Sequence, residues 1–216
     1  MTTQNGAEDS GANMENETGV SEDAAEALKT SNLQSVATLH GAGVLSALTL
    51  FGAGHVWAVN SEWLIAQIVA IGMAIIAGSA VHSIAHEWGH FAGARLSGSK
   101  CTVLEKPYKY FFMFNFDAKA NDAGQALWMS WGGLSGSWGL LLLLGFAVPL
   151  DSWACVALLA TLFGRALNAS VFEVPVIMRT MKSRQFQQEL ETQLTSRGIQ
   201  SVPGLVAGLF AFAALT

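Results

Sequence analysis

The stretch LIAQIVAIGMAIIAGSAVHSIAHEWGH, residues 64–90, carries no charged side chain before Glu87, yet it ends with three of the chain's five histidines at four-residue spacing. A hydrocarbon core about 30 Å thick is crossed by about 20 apolar helical residues, so this stretch is long enough to span a bilayer. Its polar end then falls near one membrane surface. On a helix, the spacing puts His82, His86 and His90 on one face.

The rest of the chain agrees with a membrane setting. Of its 216 residues, 51% are hydrophobic and 12% charged, against roughly 25% charged in a soluble domain. Working outward from 64–90, further apolar stretches lie at 36–58, 126–148 and 153–177, and a fifth, 199–216, is barely long enough to span. The expected fold is an all-α polytopic membrane protein with four to five transmembrane helices in a lipid bilayer.

Lys and Arg set the expected orientation. The joints 59–63 and 149–152 have none, whereas Arg95, Lys100, Lys106, Lys109 and Lys119 follow the second span and Arg179, Lys182, Arg184 and Arg197 follow the fourth. Both basic segments, and by parity the N-terminus, are expected on the cytoplasmic side, in a bacterial plasma membrane. Residues 1–32 carry seven acids against Lys29 and no aromatic residue. Too little apolar area is available there to offset ordering entropy, so a disordered acidic cytoplasmic tail is expected, with the membrane domain at 33–216. It lacks the basic start and apolar core of a secretory signal peptide. Cys101 and Cys155 fall on opposite membrane sides, which argues against a disulfide between them.

Two features are expected on the cytoplasmic surface. Within a β-rich loop, 98–122, the segment CTVLEKPYKYFFMFNFD (101–117) has β-branched and aromatic residues on either side of Pro107, as a membrane-associated hairpin would. The segment 183–198 places Phe186, Leu190 and Leu194 on one helical face and ends at Gly198, as an interfacial helix would. The third span contains Gly132, Gly133 and Gly136, small residues that let helix backbones approach closely in lipid. No internal repeat, phosphate-binding glycine loop or nucleic-acid signature is present, and the oligomeric state is not legible.

His86-Glu87-Trp88-Gly89-His90 fits the pattern HExxH. Residues four apart on a helix bring both imidazoles to one zinc ion (Zn2+), and Glu87, one position on, is set to accept a proton from water. His82 lies eight residues from His90, about 12 Å along the axis, whereas zinc–nitrogen bonds are about 2 Å. It is therefore read as a hydrogen-bonded bundle residue or as a support for a ligand. A catalytic zinc takes three protein ligands, and depth sorts the candidates for the third. His86 lies about 33 Å from Leu64 along the second span and Glu173 about 30 Å from Trp153 along the fourth, so the two can meet. Glu173 is favoured, because an unpaired carboxylate in ASVFEVPV would be costly. The alternative is that Glu173 lies at the interface, solvated or paired to Arg179. His40 is the runner-up ligand, and Glu105, Asp117 and Asp122 are not excluded by depth. His55, towards the outer end, is read as structural. Arg165, about 18 Å from Trp153, sits near mid-bilayer and needs a partner that the sequence does not name. It too is read as structural, with a substrate role open.

HEWGHFAGARLSG resembles the HExGHxxxARxxG block of the site-2 protease family of intramembrane zinc metalloproteases, and SWGGLSGSWGLLLLL is similar to that family's next, small-residue span. The resemblance covers about residues 64–178. It implies a membrane-associated β-rich stretch after the first block, and hydrolysis of a peptide bond in a membrane-protein segment or small hydrophobic peptide. It also implies a third ligand from an NxxPxxxxDG pattern whose Asn helps hold an extended substrate. Asn168 matches that Asn as a substrate-binding residue. Val171 stands at the first Pro, Val176 at the Asp, and no Asp-Gly follows, so Glu173 is read as the substitute with altered spacing.

The functional expectation is thus a zinc-dependent intramembrane endopeptidase with Glu87 as base, His86, His90 and Glu173 as ligands, and an extended substrate that adds as a strand to the hairpin. Rival expectations are a noncatalytic scaffold or assembly subunit with a protease-like fold, and a membrane metal-handling protein. Glu87 between the histidines argues against the last, since transport needs no general base there.

Overall fold

The computed structural model describes residues 22–109, 111–195 and 202–216. Among the described residues, six helices and one hairpin follow in the order α1 (Glu22–Ser61), α2 (Leu64–Leu96), β1 (Cys101–Tyr108), β2 (Phe112–Phe116), α3 (Ala123–Ala147), α4 (Trp153–Ser183), α5 (Phe186–Leu194) and α6 (Val202–Leu215). Four of them, α1 from Lys29 onward and α2 to α4, are long and apolar enough to cross a membrane. The chain is an all-α polytopic membrane protein with a small hairpin.

Helix starts follow local chemistry. Ser152 caps α4 by accepting from the Cys155 N–H, and Asp122 and Gln125 form a reciprocal capping box on α3. Helix ends run past the apolar stretches, because apolar length reports what lies in lipid and not where hydrogen bonding stops. α2 continues six residues past 90 to Leu96, and α4 continues past 177 to Ser183. The largest difference is at α1. Helix begins at Glu22, so residues 22–32 are not the disordered tail expected of them. Acids near a helix N-terminus and the Ala-rich run 24–28 favour helix there, and the turn from Asn32 to Val36 packs on the hairpin, with Asn32 Nδ2 donating to the Val103 carbonyl at 3.4 Å. Residues 1–21 lie outside the described residues.

In α2 the buried row is Ala66, Ala70, Ala74 and Ala77, while Ile65, Ile68, Ile75 and Ile76 are exposed. Small side chains inside and large ones outside suit a bundle in lipid, where close backbone packing rather than water exclusion joins helices. α2 and α3 carry this furthest. A Cβ added at Gly89 would collide with the Gly132 carbonyl oxygen, one at Gly93 with that of Trp128, and one at Gly136 would meet the Ala85 carbonyl oxygen at 2.6 Å.

The hairpin forms where expected, antiparallel with Cys101 opposite Phe116 and Val103 opposite Phe114. The register shifts between Val103 and Tyr108, a stretch that contains Pro107, which has no N–H to give a ladder. α5 falls within 183–198, but Gly198 lies outside the described residues. Its side is pinned to α4 by Arg179, which donates to Glu189 at 2.9 Å and to Gln193 at 2.6 Å. α6 has 14 residues, about 21 Å of helix, short of the hydrocarbon thickness. It packs on α4 through glycine: a Cβ at Gly164 would meet the Gly204 carbonyl oxygen at 2.6 Å.

These contacts separate glycines that matter from those that do not. Gly132→Ala is expected to destabilise by roughly 1–3 kcal/mol through overpacking, seen as a lower melting temperature in detergent. Gly139→Ala, where an added Cβ meets nothing within 4 Å, is expected to melt with the wild type.

Candidate metal centre and its cavity

Because α2 and α3 touch backbone to backbone, carbonyl oxygens of α3 come within reach of the imidazoles of α2. His86 Nδ1 lies 3.0 Å from the Gly133 carbonyl oxygen and 2.9 Å from Ser137 Oγ, and His90 Nδ1 lies 2.9 Å from the Met129 carbonyl oxygen. A carbonyl can only accept, so these bonds place the proton on Nδ1 and leave the Nε2 lone pair free. Gly133 is required here, since an added Cβ would run into the His90 ring.

Both Nε2 atoms converge on Glu173 of α4. Glu173 Oε1 is 2.9 Å from His86 Nε2 and 3.1 Å from His90 Nε2, and the two Nε2 atoms are 3.0 Å apart. Three lone-pair donors so close repel one another unless a cation, a metal or an extra proton, lies among them. Zinc bonds of about 2.0 Å in tetrahedral array separate ligand atoms by about 3.3 Å, so an adjustment of a few tenths of an ångström would admit the ion. Glu173 is 9% exposed, and its Oε2 is buried without a hydrogen-bond partner, which a second contact to a cation would relieve. The donor set of two imidazoles and a carboxylate fits zinc.

Glu87, one residue on from His86, is 5% exposed. Its Oε1 accepts from the Met113 N–H of β2 at 3.1 Å. The hairpin is therefore joined to the site, through a backbone group that has no sequence signature. Since the Met113 N–H points to Glu87, it points away from β1, and alternation along the strand turns the backbone of Asn115 to the same edge.

A cavity of about 450 Å³ adjoins these groups, lined in part by His86, Glu87, His90, Asn168 and Glu173. Phe112, Phe114 and Phe116 of β2 and Phe186, Leu190 and Leu194 of α5 also face it. The apolar face of α5 thus covers the cavity, and Phe116 and Phe186 meet edge to face at 6.0 Å.

The other sequence candidates separate cleanly. His40 accepts from Trp88 Nε1 at 3.0 Å, away from the cluster. Asp122 caps α3 and Asp117 caps the turn at Lys119 and Ala120, and neither they nor Glu105 joins a metal-ligating cluster among the described residues. Arg179 pairs with Glu189, not with Glu173. His82 stacks on His86 at 5.8 Å, but neither of its ring nitrogens has a hydrogen-bond partner, so the hydrogen-bonded role expected of it is not observed. Arg165 finds Ser83, whose Oγ accepts from Nη2 at 2.8 Å. His55, Asp151 and Cys155 form a second cluster with ligand atoms within 4.8 Å, unforeseen because Asp151 and Cys155 lie nearly a hundred residues from His55. There, His55 Nδ1 is already 3.1 Å from Ser152 Oγ. Cys101 and Cys155 are free thiols. Burial pushes the Cys101 thiol up, against a smaller opposing effect of Arg95.

The chain matches no protein-family model, no curated protein and no solved structure.

If Arg179 anchors α5 over the cavity, Arg179→Gln should speed amide hydrogen exchange in 186–194 by roughly three- to tenfold, the scale of one charged hydrogen-bonded contact partly exposed to solvent. Unchanged exchange would remove Arg179 from that role.

Proposed function

We propose that this chain is a zinc-dependent intramembrane endopeptidase that hydrolyses a peptide bond in a membrane-protein segment or small hydrophobic peptide, near the cytoplasmic face. One observation carries the reading: His86, His90 and Glu173 bring three ligand atoms within 4.8 Å of one another, with Glu87 beside them on the same cavity. Ionisable groups gathered in a membrane helix are costly and mark function by default.

His86, His90 and Glu173 would hold the zinc, with Gly133, Ser137 and Met129 orienting the two imidazoles. When bound, zinc lowers the pKa of water and polarises a carbonyl. Glu87 then acts as the base. With Oε1 held by the Met113 N–H, its other oxygen accepts a proton from the attacking water and returns it to the departing amine nitrogen as the C–N bond breaks. A helical substrate hides its carbonyls, so the reactive stretch must be extended. With the Met113 N–H held by Glu87, the Met113 carbonyl and the Asn115 backbone are the groups on that edge of β2 that support strand addition, Asn168 is the side chain available to hold substrate backbone, and the phenylalanines of β2 suit apolar side chains.

Metal analysis of the purified protein should find about one zinc per chain in wild type, Glu87→Gln and His40→Ala, and a loss of at least about tenfold in His86→Ala and Glu173→Gln. Equal, near-zero metal in wild type and His86→Ala would sink the proposal. In cells, Glu87→Gln should slow release of cleaved membrane peptides by about 100-fold or more, the scale of losing a general base. If zinc is bound but no membrane peptide changes between the two strains, the noncatalytic scaffold becomes the better reading.

A further inference from the structure

Arg165 is the charge the proposed chemistry does not use. It lies about 18 Å along α4 from Trp153, at a depth where a guanidinium needs a partner. Its Nη2 donates to Ser83 Oγ, and Ser83 in turn donates to the Ser79 carbonyl at 2.9 Å. Ser83 therefore aims the guanidinium but does not neutralise it. Among the described residues, no Asp or Glu forms an ion pair with Arg165.

The residue next to Ser83 is also unsatisfied. His82 is 4% exposed, with both ring nitrogens lacking a hydrogen-bond partner, a costly state for a buried polar group. His82, Ser83 and Arg165 all line the cavity of the metal centre. The two acids on that cavity, Glu87 and Glu173, are engaged by the Met113 N–H and by the two ligand imidazoles. One end of the cavity is thus rich in N–H groups, and the one acceptor committed to them among the described residues is the neutral Ser83 Oγ, with no acid beside it. A guanidinium fork beside an imidazole is suited to a carboxylate.

We infer that Arg165, aimed by Ser83 and flanked by His82, is a carboxylate-recognition subsite for the peptide that occupies this cavity. The inference rests on the endopeptidase reading for the placement of that peptide. The His82 and His86 rings are 5.8 Å apart, and Arg165 and Glu173 are about 12 Å apart along the helix axis. At about 3.3 Å per extended residue, the carboxylate lies about two to four residues from the bond cleaved. Its source is the peptide's own C-terminus or an Asp or Glu side chain.

The test is a binding measurement on the zinc-loaded, detergent-solubilised full chain carrying Glu87→Gln, so that no cleavage enters the result. The probes are dansyl-Leu-Leu-Ala-Phe-Leu as the free acid, the same peptide as its amide, and an amidated form with Glu in the last position. At least one carboxylate form is expected to bind tenfold or more tightly than the plain amide, and the form preferred identifies the source. Adding Arg165→Gln should erase the preference with zinc content unchanged, and Arg165→Lys should keep part of it. Equal binding of all three peptides, no binding of any, or a preference that survives Arg165→Gln would overturn the inference. A carboxylate preference that depends on Arg165, in a protein whose wild type cleaves nothing, would leave the subsite standing and remove the endopeptidase reading alone.

Discussion

The backbone contact between α2 and α3 is the constraint on which the site depends. Gly89 and Gly93 on one helix and Gly132, Gly133 and Gly136 on the other leave no room for a Cβ. Only at that separation can the carbonyls of Met129 and Gly133 reach the Nδ1 atoms of His90 and His86. In water such carbonyls would exchange partners freely. In lipid the histidines have few alternatives, so the contact both joins the helices and fixes which nitrogen faces Glu173.

The same logic explains what surrounds the centre. Ionisable groups inside a bundle are tolerable where each has a partner: Glu87 has the Met113 N–H, the two Nδ1 atoms have carbonyl oxygens of α3, and Glu173 with the two Nε2 atoms would share a cation among them. The hairpin is then more than a cover. Met113, 0% exposed, ties β2 to Glu87, and α1 presses Val36 against Met113 and Phe91 from behind. α5 closes the other side through Phe186, Leu190 and Leu194. Movement of α5 or β2 would therefore change access to the cavity without disturbing the α2–α3 contact.

Much of this was legible in the residues, for identifiable reasons. Apolar length gave four spans and the starts of α2 and α4 at Leu64 and Trp153, because lipid imposes a length on whatever crosses it. Depth counted at 1.5 Å per residue brought Glu173 to His86 before any contact was known. Helix ends were not legible at Glu22, Leu96 and Ser183, because apolar length reports only the part of a helix that lies in lipid. Met113 was invisible, because its contribution is a backbone N–H that any residue but proline supplies. Ser83, the partner of Arg165, and the approach of His55 to Cys155 depend on how helices rotate against one another, which apolar length does not specify. The face of α5 could be read from Phe186, Leu190 and Leu194, but what it faces could not.

The central claim is that His86, His90 and Glu173 are one zinc site. X-ray absorption of the zinc-loaded full chain tests it most directly, since it reads the donor atoms themselves. The account predicts two imidazole nitrogens and carboxylate or water oxygen, all at about 2.0–2.2 Å, with no sulfur. A zinc–sulfur distance of about 2.3 Å, which would move the ion to the His55, Asp151 and Cys155 cluster, or a chain that holds no zinc, would contradict it.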